Sequence, residues 1–182
     1  PYHHAVPRNR ADVARDVKVD EIVEAARARL VDGGYGALSV AGLARELGLA
    51  QAAVYWYFPT KDDLFVAAVE RILHDILERK PRRGTTIDRV LWLADRLHEF
   101  HDLRMTMRDR ARVAEGVARF EADVNALFRV LLINALRDDV DGAEIDDVAD
   151  AVMALCDGVL LRDLGQRRRR ELIRFGFERL VR

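Results

Sequence analysis

Residues 49–58 read LAQAAVYWYF, and none of these side chains is charged, although 34% of the 182-residue chain is Asp, Glu, Lys or Arg. Gln51, Ala52, Ala53, Tyr55 and Tyr57 are residue types that serve in a DNA groove. A glutamine amide can pair bidentately with adenine, and alanine methyls can meet thymine methyls while letting the backbone come close. Tyrosine hydroxyls can hydrogen-bond phosphate oxygens. Lys61 falls at the start of the next helix, where free amides and the helix dipole already favour a phosphate. Ser39, at another helix start, can do the same. On a short helix, Val54 and Phe58 form one inward ridge. Gln51 with Tyr55, Ala52 with Trp56 and Ala53 with Tyr57 form the others. A fully buried segment would carry Leu and Ile in place of Gln, Ala and Tyr. The competing reading is an ordinary aromatic core patch.

The elements that must hold this stretch are helical, because Gly and Pro fall at boundaries and β-branched alternation is nowhere sustained. The first helix spans roughly 18–32, with Ile22, Ala26 and Leu30 on one face and Gly33–Gly34 as its stop. Ser39 caps a second helix with Val40, Leu43, Ala44 and Leu47 in its stripe, ended by Gly48. The third is the aromatic-ended stretch itself, closed by Pro59. Three short helices with a tight turn between the last two predict a helix-turn-helix. Thr60 and Asp63 form a capping box for a fourth helix running to about Arg79, with Leu64, Ala68, Ile72 and Ile76 inward.

The stretch GGYGALSVAGLARELGLAQAAVYWYFPTKDDLFVAAV resembles the N-terminal domain of the TetR-type (tetracycline-repressor) transcriptional regulators. Its motif is a Gly-Tyr end to the first helix, a Ser cap, an Ala in the second helix, the turn Gly, then Tyr-x-Tyr-Phe, a cap residue and Lys. The resemblance covers roughly residues 20–70. It implies that Ser39, Gln51, Ala52, Ala53, Tyr55, Tyr57 and Lys61 contact DNA, and that Trp56 packs to brace the domain. One departure is Ala50, where many members cap the recognition helix with Ser or Thr.

The segment KPRRG, residues 80–84, reads as a linker, and the helical pattern then restarts at the capping box of Thr85 and Asp88. The chain divides into an N-terminal extension (1–17), a helix-turn-helix domain (18–63), a connecting helix (64–80) and a helical domain (81–182). The expected fold is all-α. After residue 80 the resemblance is architectural. It implies a domain that binds a small-molecule effector and dimerises through its last two long helices, with Val152, Leu155, Val159, Leu172 and Phe175 at the seam. Apolar walls with a few polar groups describe a small-molecule site. Trp92, Asp95, His98, His101, Met107, Arg108, Phe120, Asn125 and Phe128 are the candidates for it, against the blander reading of core and solvated face.

Other groups carry less. His98 and Asp102 have metal-ligand spacing without a third ligand, so no metal is expected. Arg167 to Arg170 reads as a solvated turn, since four cations at a helix start are locally unfavourable. The aspartates between 138 and 150 lack the order of a calcium loop, and no nucleophile elbow, P-loop or HExxH motif is present. An enzyme is therefore not expected, nor a cofactor. Net charge is −1, so composition itself does not point to nucleic acid. No apolar run approaches the ~20 residues of a membrane span, and PYHHAVPRNR lacks the apolar core of a signal peptide. A single cysteine, Cys156, suits a reducing interior, the cytoplasm. The expectation is a homodimeric regulator of a palindromic double-stranded DNA operator, most simply a repressor released by an effector. A helical protein-binding adaptor, or a DNA-binding regulator without effector, are its rivals. Arg8 and Arg10 are candidates for added basic contacts.

Overall fold

The computed structural model describes the backbone of residues 10–181 and the side chains of 15–181; the Arg8 and Arg10 side chains lie outside these described residues. The helices are α1 (Arg10–Ala37), α2 (Val40–Glu46), α3 (Gln51–Tyr57), α4 (Lys61–Glu78), α5 (Thr86–Glu99), α6 (His101–Ala111), α7 (Glu115–Leu136), α8 (Ile145–Leu160) and α9 (Gln166–Leu180). No strand occurs among the described residues. The chain forms two compact units that divide between His74 and Asp75, within α4.

In the N-terminal unit, α1 begins at Arg10, earlier than the periodic stripe predicts. Arg15, Asp16 and Val17 are exposed, so these three give the pattern no inward position to report. Ile22 and Ala26 are fully buried and Leu30 nearly so, as the stripe requires. Helical geometry fails at Gly33 and Gly34, and Gly34 takes φ 65°. That left-handed conformation costs glycine nothing and any residue with a Cβ about 1–2 kcal/mol. Ser39 caps α2 by accepting the Gly42 N–H at 3.2 Å. Gly48 turns the chain at φ 64°, and α3 packs against α2. The α4 capping box forms fully. The Thr60 N–H donates to Asp63 Oδ2 at 2.9 Å, and the Asp63 N–H to Thr60 Oγ1 at 3.1 Å. Leu64, Phe65 and Ala68 are completely buried on α4, and burying each of the two larger side chains is worth about 1.5–3 kcal/mol. Tyr35 meets Phe65 edge-on at 5.1 Å.

In the C-terminal unit, the Thr85–Asp88 capping box starts α5. One core cluster joins Leu91 and Ala94 with Val159, Leu160 and Ile173. A second joins Leu136 with Val148, Ala149, Val152 and Phe177. Helix α9 includes the arginines read as a turn and buries Arg169, Ile173 and Phe177 at four-residue spacing. Leu172 and Leu180 flank this ridge half-buried, and Phe175 is exposed. The ridge opens on an arginine, which a hydrophobic pattern rejects.

Candidate nucleic-acid interface

Helix α3 is seven residues long and has one inward ridge: Val54 is 0% and Phe58 8% exposed. Gln51, Ala52 and Tyr55 are exposed, and Ala53 and Tyr57 are half-buried. Four of its consecutive side chains thus divide by angle, because 3.6 residues per turn put Trp56 nearly opposite Val54. Trp56 is 65% exposed, which corrects the expectation that it braces the domain from within. It touches Tyr57 edge-on at 4.7 Å, and the Arg15 guanidinium of α1 lies 5.0 Å over its ring. The helical spacing from Val54 was the signal that would have found its exposure. Ala50 precedes α3 with no side-chain cap, as its residue type dictates.

Around α3 the polar groups are held by specific partners. Lys61 Nζ sits 4.0 Å over the Tyr35 ring, and the Tyr35 hydroxyl donates to Asp62 Oδ1 at 2.8 Å. Ser39 is exposed at its cap; its oxygen accepts, so its hydroxyl hydrogen stays available. Other cations of this unit meet carboxylates: Arg29 with Glu46 at 2.8 Å, Arg71 with Asp20 at 2.6 Å and Lys18 with Glu21 at 2.6 Å. Hydrogen bonding to Arg27 holds the Glu24 carboxyl below its ordinary value. The result is a short neutral helix between two cations seated on aromatic rings.

The residues read as an effector pocket fare unevenly in the C-terminal unit. Asp95 is buried and already taken: Arg170 reaches it at 2.9 Å, Gln166 at 3.1 Å and Arg169 at 3.4 Å. Arg169 and Arg170 stand on a helix and not in a turn, and burial of Arg169 corrects its reading as solvated, while Arg170 stays exposed. A carboxylate at the first turn of α9 offsets the repulsion that made a run of arginines look unfavourable there. His98 and His101 lie with ring centroids 6.0 Å apart, and the Nδ1 of each is shielded from solvent without a hydrogen-bond partner. Burial, then the charge of Arg169, then that of His101, holds His98 below the ordinary imidazole value, against the pull of Asp95. Arg108 faces Asp157 at 3.5 Å and Glu121 at 3.7 Å, and Arg104 reaches Asp157 at 2.9 Å. Burial lowers Arg104, with Asp157 opposing it. Arg104, Glu121 and Asp157 were not singled out from the sequence, where only the four-residue spacing of Arg104 and Arg108 hinted at a shared face. Trp92, Met107, Phe120 and Phe128 are half-buried, whereas Asn125 is exposed. Burial pushes the Cys156 thiol up to about 12, so it is a packing group and not a nucleophile.

The residues read as a dimer seam also divide. Val152 and Val159 are 1% and 5% exposed within the unit's own core, so they have no surface left for a partner. Leu155 and Leu172 pack against the same core, and a Cβ at Gly176 would lie 2.5 Å from Leu155 Cδ2. Phe175 points out at 62% exposure and stands under Arg179 at 5.4 Å.

Residues 22–68 match the family described as bacterial regulatory proteins, tetR family. The Nucleoid occlusion factor SlmA of Haemophilus influenzae is 33% identical over 88 residues, 47% of this chain and 37% of that protein. The SlmA of Mannheimia succiniciproducens is 30% identical over 86 residues. The match therefore spans little more than a third of the curated relatives, at 37% of their length. In fold, the chain resembles a TetR transcription regulator from Haloarcula marismortui, with TM-score 0.63 and 22% identity over 91% of this chain and 95% of that one. It also resembles a tetR-family transcriptional regulator from Streptomyces coelicolor, with TM-score 0.69 and 21% identity over 91% of this chain and 80% of that one. Residues 22–68 thus carry the sequence pattern of the tetR family of bacterial regulatory proteins, and the chain as a whole shares the helical fold of these two solved structures.

Proposed function

We propose that the protein is a DNA-binding transcriptional regulator, and that α3 is its reading head. The observation that carries this reading is the division of α3. Val54 and Phe58 anchor it inward, while Gln51, Ala52 and Tyr55 face outward on a helix too neutral and too short to be core. Gln51, Ala52 and Ala53 meet base edges, Tyr55, Tyr57 and Ser39 meet phosphates, and Lys61 adds a cation. Two copies would present two such helices to half-sites about 34–36 Å apart, or a multiple of that. The exposed Phe175 supports a seam on α9.

Repression relieved by a small effector is the finer reading. Support for an effector site comes from the two shielded, unpartnered imidazole nitrogens of His98 and His101. Buried polar atoms without partners are rare, and a ligand that supplies the partner is one reason for them. An effector acts only through unequal affinity for two states, and a shift from 99% to 1% DNA-competent needs about 5.5 kcal/mol of preference. A second reading, a DNA-bound factor that answers to no small molecule, draws on relatives named Nucleoid occlusion factor.

Gel shift on the DNA flanking the gene tests the core of this reading. Tyr55→Ala and Lys61→Ala should each weaken binding by about 1–2 kcal/mol with the fold intact. Undiminished affinity in both would remove α3 from the interface. An effector would raise the melting temperature and release the DNA; a screen in which no binder releases it would favour the second reading.

A further inference from the structure

Arg15 is an exposed cation with an unusual seat. Its guanidinium lies 5.0 Å over the ring of Trp56, the most exposed aromatic of α3 at 65%. Trp56 is itself steadied by an edge-on contact with Tyr57 at 4.7 Å. Lys61 repeats the device at the start of α4, 4.0 Å over Tyr35. Elsewhere in the same unit Lys18, Arg27, Arg29 and Arg71 are matched by carboxylates. The difference has a chemical consequence. A carboxylate takes up the in-plane N–H donors of a guanidinium and cancels its charge. An aromatic face leaves the charge whole and offers the N–H donors no carboxylate oxygen, so they keep their capacity for an oxyanion. Such a group is ready for a bidentate oxyanion, and beside a DNA-reading helix the oxyanion is a backbone phosphate.

We propose that Arg15 is a phosphate clamp from α1, held over the reading head by Trp56, which acts as its positioning residue. The proposal rests on the DNA-binding reading above. It gives the exposed Arg15, ahead of the buried stripe of α1, a role that packing does not explain. It also gives the exposed indole one: a flat rest that fixes a long side chain before DNA arrives, so that less rotamer freedom is lost on binding.

The test is binding of the full-length protein to a mixed-sequence duplex several helical turns long, over a series of salt concentrations. One lost phosphate contact should make Arg15→Ala several-fold weaker on every sequence, and should reduce the slope of log affinity against log salt by about 0.9 per subunit. Trp56→Ala should reproduce most of the loss and Trp56→Phe less of it. The double variant should be no weaker than Arg15→Ala alone, because both changes remove one device. Both side chains are exposed, so circular dichroism should be unchanged. If the wild type binds and Tyr55→Ala weakens it while Arg15→Ala keeps full affinity and slope, the clamp is refuted and the reading head stands. If Trp56→Ala costs affinity additively with Arg15→Ala, the indole makes a contact of its own and its positioning role is refuted. A wild type indifferent to duplex DNA overturns both proposals together.

Discussion

Asp95 is a buried carboxylate of the C-terminal unit with three polar partners. Its side chain is 7% exposed and faces Arg169, itself 5% exposed, as well as Arg170 and Gln166. A buried pair like this contributes little net stability, since desolvation offsets attraction, but removing one member strands the other. Asp95→Asn should therefore cost about 3 kcal/mol or more in urea unfolding, and pairing it with Arg169→Met should recover much of the loss. A cost below about 1 kcal/mol would show that water reaches Arg169. The sequence could not reveal this pair, whose members lie 74 positions apart. An arginine run read locally is a solvated surface, and only the docking of α9 on α5 turns one of its members inward. Tyr55 and Gln51, by contrast, were legible, because their outward position follows from helical angle once Val54 and Phe58 are fixed.

Among the elements, those with strong local punctuation were the easiest to read. The stop at Gly34, the cap at Ser39, the turn at Gly48 and the boxes at Thr60 and Thr85 all appear where residue type places them. These features need only a few neighbouring residues, so tertiary packing has little occasion to override them. Less legible were the start of α1, which lies ahead of the periodic stripe at Ile22, Ala26 and Leu30, and the phase of α9, whose ridge begins with Arg169. Helix α3 is the element where a rule is broken: its cap position holds Ala50 and makes no side-chain hydrogen bond. Ala50→Ser should stabilise the N-terminal unit by about 0.5–1 kcal/mol, read as a higher melting temperature. No gain would mean that the first amides of α3 already have partners.

At the scale of the molecule, the two-fold arrangement is the expectation with most to lose. Val152 and Val159 are spent on the unit's own core, which leaves Phe175 as the large apolar group that the predicted seam still offers to a partner. Replacing it with a charge should leave the fold intact, because Phe175 adds little to the core. Phe175→Glu should shift sedimentation from dimer to monomer and weaken DNA binding through loss of the second reading head. A variant that remains dimeric would move the seam off this face of α9.

The division of the chain at His74 has a practical corollary. Of the two tryptophans, Trp56 lies in the first unit, largely in water, and Trp92 in the second, half enclosed. Each unit thus carries its own optical tag by nature. The two indoles differ enough in surroundings for their emission to be told apart, so the melting of each half can be followed separately in one unlabelled sample.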